Sequence, residues 1–300
     1  MSEDAPQVAR LTRRLVDAGL SIAEVHPDRP EFLHAVLCQV GLPRSRQEGR
    51  EFVRSAGKAS MMITAGKKFD GQRWTPCPLP YGTKPRLALI HLCSEAVRTQ
   101  SSVIDVGDGI VPFLRDMGLT IGGKTFREFK NQMTYLAACQ MEFAYFNGER
   151  IYQTSSPPIQ SFDAWADPFT GQASFWPDHI ELGARFFETL CAHAVPLDPR
   201  AVHALQNSSL AMDVYSWLAH RLCRVRAKGG VKLSWRNLKE QFGHEYGSSK
   251  DFKKAMRAAI RKALAVYPHA DVSEEIGGIR IKSSPPPIRK RSVVTALLNR

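Results

Sequence analysis

Hydrophobic positions in the first half of the chain change spacing in a defined order. Apolar residues recur at helical spacing over 87–97, and a short apolar run at 103–106 is typical of a strand. A short helix is predicted over 110–117 and a longer amphipathic helix over 124–142. Asn147-Gly148, between aromatic and β-branched residues, then predicts a β-hairpin.

The same order recurs in the last third of the chain. Apolar residues at helical spacing over 210–222 are followed by a strand-like run at 231–233. A short helix is predicted over 235–242 and a long one over 250–267, because Ser234 is a favourable N-cap and Pro268 ends the second helix. Gly277-Gly278 marks the tip of a second hairpin.

The two stretches align at a nearly constant offset. Leu87 and Leu210 are 123 residues apart, Phe126 and Phe252 are 126 apart, and both stretches close with Ser-Ser-Pro-Pro. Helix, strand, helix, turn, long helix and hairpin is the element order of a winged helix, so we predict an α+β fold of tandem winged-helix domains, mainly helical, with small β-hairpin wings. The predicted segments are an N-terminal helical and strand extension (1–80), a first winged-helix domain (81–160), a connecting segment (161–205), a basic second winged-helix domain (206–287) and a basic C-terminal tail (288–300).

The long helix of the second copy is predicted to be two-sided. On a wheel of ~100° per residue, the other cations fall within about 60° of Lys250, opposite the apolar residues. These predicted DNA-binding residues are Lys250, Lys253, Lys254, Arg257 and Arg261. The stretch from Phe252 to Tyr267 contains no acidic residue, so the like charges repel one another unless a polyanion neutralises them. A solvated basic surface is the alternative.

The long helix of the first copy has a mixed outward face. Lys124 and Arg127 suit phosphate, and Asn131 suits an adenine edge, but Glu128 lies on the same face. Phe126 is expected on the buried face. DNA contact and contact with a partner protein remain equally open for this helix.

The second hairpin is expected to contact DNA through its return strand. Glu274 and Glu275 near the tip would be repelled by phosphate, whereas Arg280 and Lys282 alternate onto one face. The terminal run 288–291 is basic and can track phosphates or simply solubilise the chain.

Charge is distributed unevenly along the 300 residues. The net charge is +12, yet residues 221–300 hold 19 Lys and Arg against 6 Asp and Glu, a net +13, and the first 220 residues have a net −1. Such an asymmetry favours double-stranded DNA as a partner. No apolar run approaches the ~20 residues of a membrane span, and the acidic start is unlike a signal peptide, so a cytoplasmic protein with no membrane association is expected.

Catalytic and metal-binding patterns are weak. The six cysteines are widely spaced and are expected to be buried thiols, the histidines form no ligand cluster, and no catalytic residue, metal or cofactor is predicted. Residues 118–125 match the phosphate-binding pattern G-x-x-x-x-G-K-[ST], which would indicate a nucleotidase. That loop needs a buried strand before it, whereas 110–117 is predicted to be a helix, so we expect a non-enzymatic protein.

An ordered run of motifs over about residues 65–288 resembles the plasmid-encoded RepA family of replication initiator proteins. The motifs of the first half are Tyr81-Gly82-x-Lys84-x-Arg86-Leu87, Leu92-Cys93-x-Glu95-Ala96-x-Arg98-Thr99-Gln100, Phe113-Leu-Arg-x-x-Gly118-Leu and Asn131-Gln132-Met133. Those of the second half are Pro196-Leu-Asp198, Asp213-x-Tyr215-x-Trp217-Leu218, Leu233-Ser234-Trp235, Gln241-Phe242-Gly243 and Asp251-Phe252.

The resemblance implies a plasmid replication initiator. Such a protein binds repeated sites at the plasmid origin, opens adjacent A·T-rich DNA and helps to recruit the host replicative helicase and initiator ATPase. By analogy, a homodimer that represses its own promoter is also expected. A tandem winged-helix transcriptional repressor is the alternative within the same fold, and a P-loop nucleotidase is the alternative from another class.

Overall fold

The computed structural model describes residues 4–288 except 70, 107–109, 120, 147 and 163–177. The helices are α1 (Asp4–Glu24), α2 (Ala35–Gln39), α3 (Lys84–Thr99), α4 (Ile110–Asp116), α5 (Gly123–Ala138), α6 (Ala184–His193), α7 (Pro199–Leu205), α8 (Ser209–Arg221), α9 (Trp235–Phe242) and α10 (Ser249–Ala265). The strands are β1 (Glu31–His34), β2 (Glu51–Ala56), β3 (Ala59–Thr64), β4 (Lys67–Phe69), β5 (Trp74–Pro76), β6 (Val103–Asp105), β7 (Gln140–Phe146), β8 (Ile151–Ser156), β9 (Ile159–Phe162), β10 (His179–Leu182), β11 (Ala194–Leu197), β12 (Val231–Ser234), β13 (Val272–Glu275) and β14 (Gly278–Ile281). This combination confirms the predicted α+β class.

The chain divides into two compact units. The central unit runs from His34 to Ala194, and the terminal unit combines the chain up to Leu33 with the chain from Val195 onward. The predicted segment boundaries at 80, 160 and 205 do not coincide with this division. The predicted extension 1–80 is itself split, because α1 packs with helices of the terminal unit whereas β2 and β3 join a sheet of the central unit.

The core of the terminal unit is built around α8. Every residue from Leu210 to Ala219 is buried, and α10 packs along this helix. Helix α1 packs on α7 and α10, and the contact with α10 is so close that a Cβ at Gly19 would lie 2.2 Å from the carbonyl oxygen of Ala265. Any side chain at position 19 would therefore push the two helices apart.

A buried acid and an arginine attach α1 to α7. Asp198 caps α7 and forms a two-point ion pair with Arg200, whose Nε donates to Oδ1 at 3.0 Å and Nη2 to Oδ2 at 2.7 Å. Arg200 also donates to the carbonyl oxygens of Ser21 and Val25 at the end of α1, both at 2.8 Å. One guanidinium thus satisfies acceptors at a helix end that would otherwise lack partners.

The last six elements of the terminal unit occur in the predicted order of helix, strand, two helices and hairpin. The short sheet has the strand order β12-β14-β13, all antiparallel. Ile279 and Ile281 of β14 are buried, so one face of this sheet covers the helices and the other faces solvent.

The central unit does not repeat that arrangement. Its hairpin β7–β8 joins β2 and β3 in a four-stranded antiparallel sheet of order β2-β3-β7-β8. Strand β6 pairs with β10 rather than with this hairpin, so the first copy differs from the predicted winged-helix pairing. The pairing of β7 with β3 has a physical reason. Alternate residues of β3, namely Ala59, Met61 and Ile63, are buried in the core next to β7.

The long helix of the first copy is shorter than predicted. It ends at Ala138 instead of continuing to 142, because Met141 and Phe143 are buried as alternate residues of β7. The predicted hairpin at Asn147-Gly148 is present as β7–β8, although Asn147 itself lies outside the described residues.

Candidate nucleic-acid interface

Helix α10 presents the predicted apolar face to the core. Its N-cap, Ser248, accepts hydrogen bonds from the backbone of Lys250 and Asp251 at 3.1 and 3.4 Å. The buried residues of the helix are Phe252, Met256, Ala259, Ile260 and Ala263. This confirms the predicted two-sided helix and fixes which way the opposite face points.

The predicted cations lie on that opposite face. Lys250, Lys254 and Arg261 are exposed, and Lys253 and Arg257 are half-buried. Among the residues that the structure describes, Lys250, Lys253, Lys254 and Arg261 have no ion-pair partner. The outward face of α10 therefore carries four cations without an ion-pair partner, and these four residues together with Arg257 are called here the α10 stripe.

Arg257 differs from the other cations of the α10 stripe because it is held in place. Its Nε and Nη2 donate to Oε1 of Glu274 at 2.8 and 2.6 Å, and its guanidinium lies 5.0 Å from the ring centre of Trp235. The hydrogen bond raises the pKa of Arg257 and lowers that of Glu274. Glu274 occupies the Nε side of the guanidinium, so Nη1 and the remaining hydrogen of Nη2 stay available as a pair of donors.

The exposed face of the small sheet combines three cations with two acids. Lys232 of β12 lies opposite Arg280 of β14, and Lys282 follows on the same face. Arg280 binds Glu275, with Nη2 to Oε2 at 3.1 Å, and Lys282 Nζ lies 3.2 Å from a carboxylate oxygen of Asp271. These pairs are intramolecular, so Arg280 and Lys282 are less free to bind a phosphate than the cations of the α10 stripe.

The tip glutamates, which are predicted to be repelled by phosphate, also form ion pairs within the protein. Glu274 and Glu275 each bind an arginine, and the pKa of Glu275 is lowered by the Arg280 hydrogen bond. Sequence reasoning also missed Lys232 and the contribution of Trp235. The alternation of β12 places Lys232 on its exposed face, but its position beside Arg280 depends on the long-range pairing of β12 with β14, which the sequence does not specify.

For helix α5, contact with DNA and contact with a partner protein are still the two alternatives. Lys124, Arg127 and Asn131 are exposed as predicted, and the exposed Glu128 forms an ion pair with Lys84 that lowers the pKa of the carboxyl. Phe126 is not on the buried face as expected, since 37% of its surface is exposed. The helix begins at Gly123, and Phe126 lies in its first turn.

The segment that matches the phosphate-binding loop does not follow a strand. Helix α4 ends at Asp116 and leads to Gly118, which has a positive φ of 66°. Thr120 of this pattern lies outside the described residues. The strand that would direct the loop amides towards phosphate is thus replaced by a helix, as predicted.

The remaining candidate chemistry is sparse. No group of three or more His, Cys, Asp or Glu residues that could hold a metal ion occurs among the described residues. All six cysteines are free thiols, but only Cys38, Cys77, Cys93 and Cys139 are buried; Cys191 is exposed and Cys223 half-buried, which corrects the expectation of six buried thiols. Of the basic tail, residues 289–300 lie outside the described residues.

None of the described helices combines the length and apolar character that crossing a membrane requires.

Comparisons with known proteins place the chain in a family. The sequence profile of the family described as "Plasmid encoded RepA protein" matches residues 79–237, more than half of the chain. No curated protein sequence matches. The crystal structure of domains 2–3 of RctB has a similar fold, with a TM-score of 0.51 at 11% identity over 83% of this chain and 96% of that chain. A selenomethionine derivative of domains 2 and 3 of RctB gives a TM-score of 0.52 at 12% identity over 82% and 94% of the two chains.

Proposed function

The chain belongs to the plasmid-encoded RepA protein family, and we propose that it is a plasmid replication initiator whose α10 stripe binds repeated double-stranded sites at the plasmid origin. The family supports plasmid replication initiation and DNA binding in general. The observation that carries the finer proposal is the α10 stripe, because four cations that form no ion pair within the described chain lie on one helix face and match a phosphate backbone.

The terminal unit has the element order and strand pairing that we assign to a winged helix. In such a module the second long helix enters the major groove and the hairpin lies beside it. We assign α10 to the major groove. We assign the cations of the small sheet to the flanking DNA backbone; they are Lys232 of β12, Arg280 of β14 and Lys282, which follows β14. Helix α5 of the central unit, with Lys124, Arg127 and Asn131, is the candidate for a second contact.

Within the α10 stripe we assign two roles. Lys250, Lys253, Lys254 and Arg261 contact phosphates, since a flexible ammonium or guanidinium without a protein partner binds charge and carries little information about sequence. Arg257 reads a guanine, because its free pair of donors matches the N7 and O6 acceptors of that base. Glu274 and Trp235 fix the guanidinium before DNA arrives, which lowers the entropy cost of the contact.

Opening of the adjacent A·T-rich DNA, recruitment of the host replicative helicase and initiator ATPase, and a homodimer that represses the chain's own promoter belong to the same proposal. We propose that the protein works in the cytoplasm without enzymatic activity, metal or cofactor.

The test of the initiator proposal is replication of a plasmid that carries the origin alone. Replication only when the chain is supplied supports an initiator, whereas replication without it favours the repressor. A footprint on the parent plasmid gives the spacing of the sites.

Charge-preserving exchanges separate the two roles on the α10 stripe. We expect R257K to weaken binding to an origin repeat about 10- to 100-fold and to leave binding to unrelated duplex almost unchanged, because lysine keeps the charge but loses the paired donors. K254R should bind both DNAs as the wild type does, since a phosphate contact requires only charge. Fluorescence anisotropy with labelled duplexes measures both affinities.

The salt dependence provides the control. K254A should reduce the slope of log K against log salt by about one, the effect of one lost phosphate contact. Equal binding of R257K and wild type to the repeat would contradict base reading by Arg257. Unchanged slopes in K250A, K254A and R261A alike would place the DNA surface elsewhere on the protein.

A further inference from the structure

The central unit contains a basic region that the charge balance of the whole chain conceals. Residues 44–76 hold eight Lys and Arg against three Asp and Glu, a net charge of +5, although the first 220 residues together have a net charge of −1. The hairpin β4–β5 lies within this region and carries Lys67, Lys68 and Arg73. The region therefore attracts polyanions independently of the α10 stripe.

Two aromatic side chains are exposed at the end of this hairpin. Phe69 of β4 lies directly opposite Trp74 of β5, with ring centres 5.4 Å apart and planes tilted by 45°. Despite this contact, 53% of Phe69 and 65% of Trp74 remain exposed. The two rings therefore present flat apolar surface to solvent, next to the cations of the same hairpin.

The base of the hairpin is fixed to the core of the central unit. A Cβ at Gly66 would lie 1.7 Å from the carbonyl oxygen of Ala138, so the backbone is pressed against the end of α5. The backbone of the buried Cys77 donates to the carbonyl oxygen of Gly66 at 3.0 Å, and Arg50 donates to the carbonyl oxygens of Ala65 and Gly66. The aromatic end is thus held away from the core on a firmly attached base.

We propose that the hairpin β4–β5 binds single-stranded DNA by stacking unpaired bases on Phe69 and Trp74 while Lys67, on the same face as Phe69, binds a phosphate and Lys68 and Arg73 add positive charge around the site. Exposed aromatic rings beside cations form the usual surface for unpaired strands, because every base offers a flat face. In a duplex those faces are covered by neighbouring bases, so the site selects single strands. Only the source of the strand, an opened origin, rests on the proposed function.

The test uses the full chain and a fluorescein-labelled 20-nucleotide oligo(dT), with binding followed by anisotropy. W74A should weaken binding about 5- to 100-fold, the range expected for loss of one stacked base. W74F retains a ring and should stay within about threefold of wild type. K67Q should reduce the salt slope by about 0.7, the single-strand value for one phosphate.

Tyr152 of β8 offers a matched control. It is an exposed aromatic residue, at 55%, opposite Tyr145 in the hairpin β7–β8 of the same unit, and Glu142 and Glu149 lie in that hairpin. Y152A should therefore bind oligo(dT) as the wild type does. Duplex binding should be unchanged in W74A, which separates failure of this proposal from failure of the α10 proposal.

Three results would overturn the inference. These are oligo(dT) binding by W74A as tight as that of the wild type, a loss of binding in Y152A equal to that in W74A, and a loss in W74F equal to that in W74A. Equal affinity for oligo(U) would contradict the assignment to DNA and indicate a general single-strand site.

Discussion

Replacement of Arg86 by alanine is expected to lower the free energy of unfolding of the central unit by about 3–5 kcal/mol. Only 6% of this residue is exposed. Its Nη1 donates to the carbonyl oxygens of Pro43 and Gly82 at 3.0 and 2.6 Å, and Nη2 donates to that of Leu42 at 2.6 Å. Alanine would leave these carbonyls without their partner and create a cavity at the start of α3.

Replacing Arg86 by lysine separates the stabilising effect of its charge from that of its hydrogen-bond geometry. R86K retains the charge, but a single ammonium does not reproduce the planar fork that reaches two chain segments, so we expect it to recover only part of the loss. Arg185 is the matched surface control: it is exposed and pairs with Glu188 three residues on, so R185A should cost at most about 0.5 kcal/mol.

Chemical denaturation gives the free energies, and hydrogen exchange of the Leu42 amide and of the α3 amides shows whether the loss is local. A change below about 1 kcal/mol in R86A would contradict this account, because it would mean that water replaces all three contacts.

Arg86 also illustrates which parts of the resemblance are structural. It belongs to the first motif, and sequence alone does not distinguish a buried arginine from one that binds DNA. Asp198 is similar: it lies in a second-half motif, and its backbone N–H donates to the buried Tyr215 hydroxyl at 2.9 Å while its side chain binds Arg200. These motif residues hold segments together, and none of them lies on the α10 stripe.

The sequence predicted correctly those elements whose form depends only on residues close by in the chain. The apolar spacing of α10 fixed its buried face, since the period of a helix is independent of the rest of the chain. The turn glycines at 277–278 likewise fixed the second hairpin. The outward direction of Lys250 and Lys254 followed from the same periodicity.

Long-range pairing could not be obtained in this way. Nothing in the sequence of β6 indicates that its partner is β10, about 75 residues later, or that β7 pairs with β3. The contact between Arg257 and Glu274 depends on how the hairpin lies against α10, which periodicity does not specify. The exposed aromatic pair of β4–β5 was missed because a short hairpin of six paired residues gives too weak a signal.

The second large effect concerns pH, and it centres on His34. This residue caps α2: its Nδ1 accepts the backbone N–H of Val36 at 3.2 Å. Its Nε2 lies 3.0 Å from the hydroxyl oxygen of Thr189, whose own proton points to the carbonyls of Arg185 and Phe186. The ring is therefore neutral with its proton on Nε2 and is stacked between Phe143 and Phe186.

Burial, with the nearby His193 as a second cause, lowers the pKa of His34 from 6.5 to about 4. The folded protein thus binds this proton more weakly than the unfolded chain does. The stabilisation is complete above pH ~6.5 and is lost as the pH falls from 6.5 towards 4, by about 3 kcal/mol in all. Protonation would place an N–H of Nδ1 against the N–H of Val36 and break the cap.

We expect the H34N variant to show a flatter dependence of stability on pH. Asparagine can accept the Val36 N–H, so the cap survives, but loss of the stacked ring lowers stability at neutral pH. His91 and His220, whose pKa values burial also lowers to about 4, contribute equally to both proteins and cancel in the comparison. Denaturation between pH 7.5 and 4.5 measures the difference between wild type and variant. That difference should shrink by about 2.5 kcal/mol between pH 7.5 and 4.5, and parallel curves would show that another group is responsible.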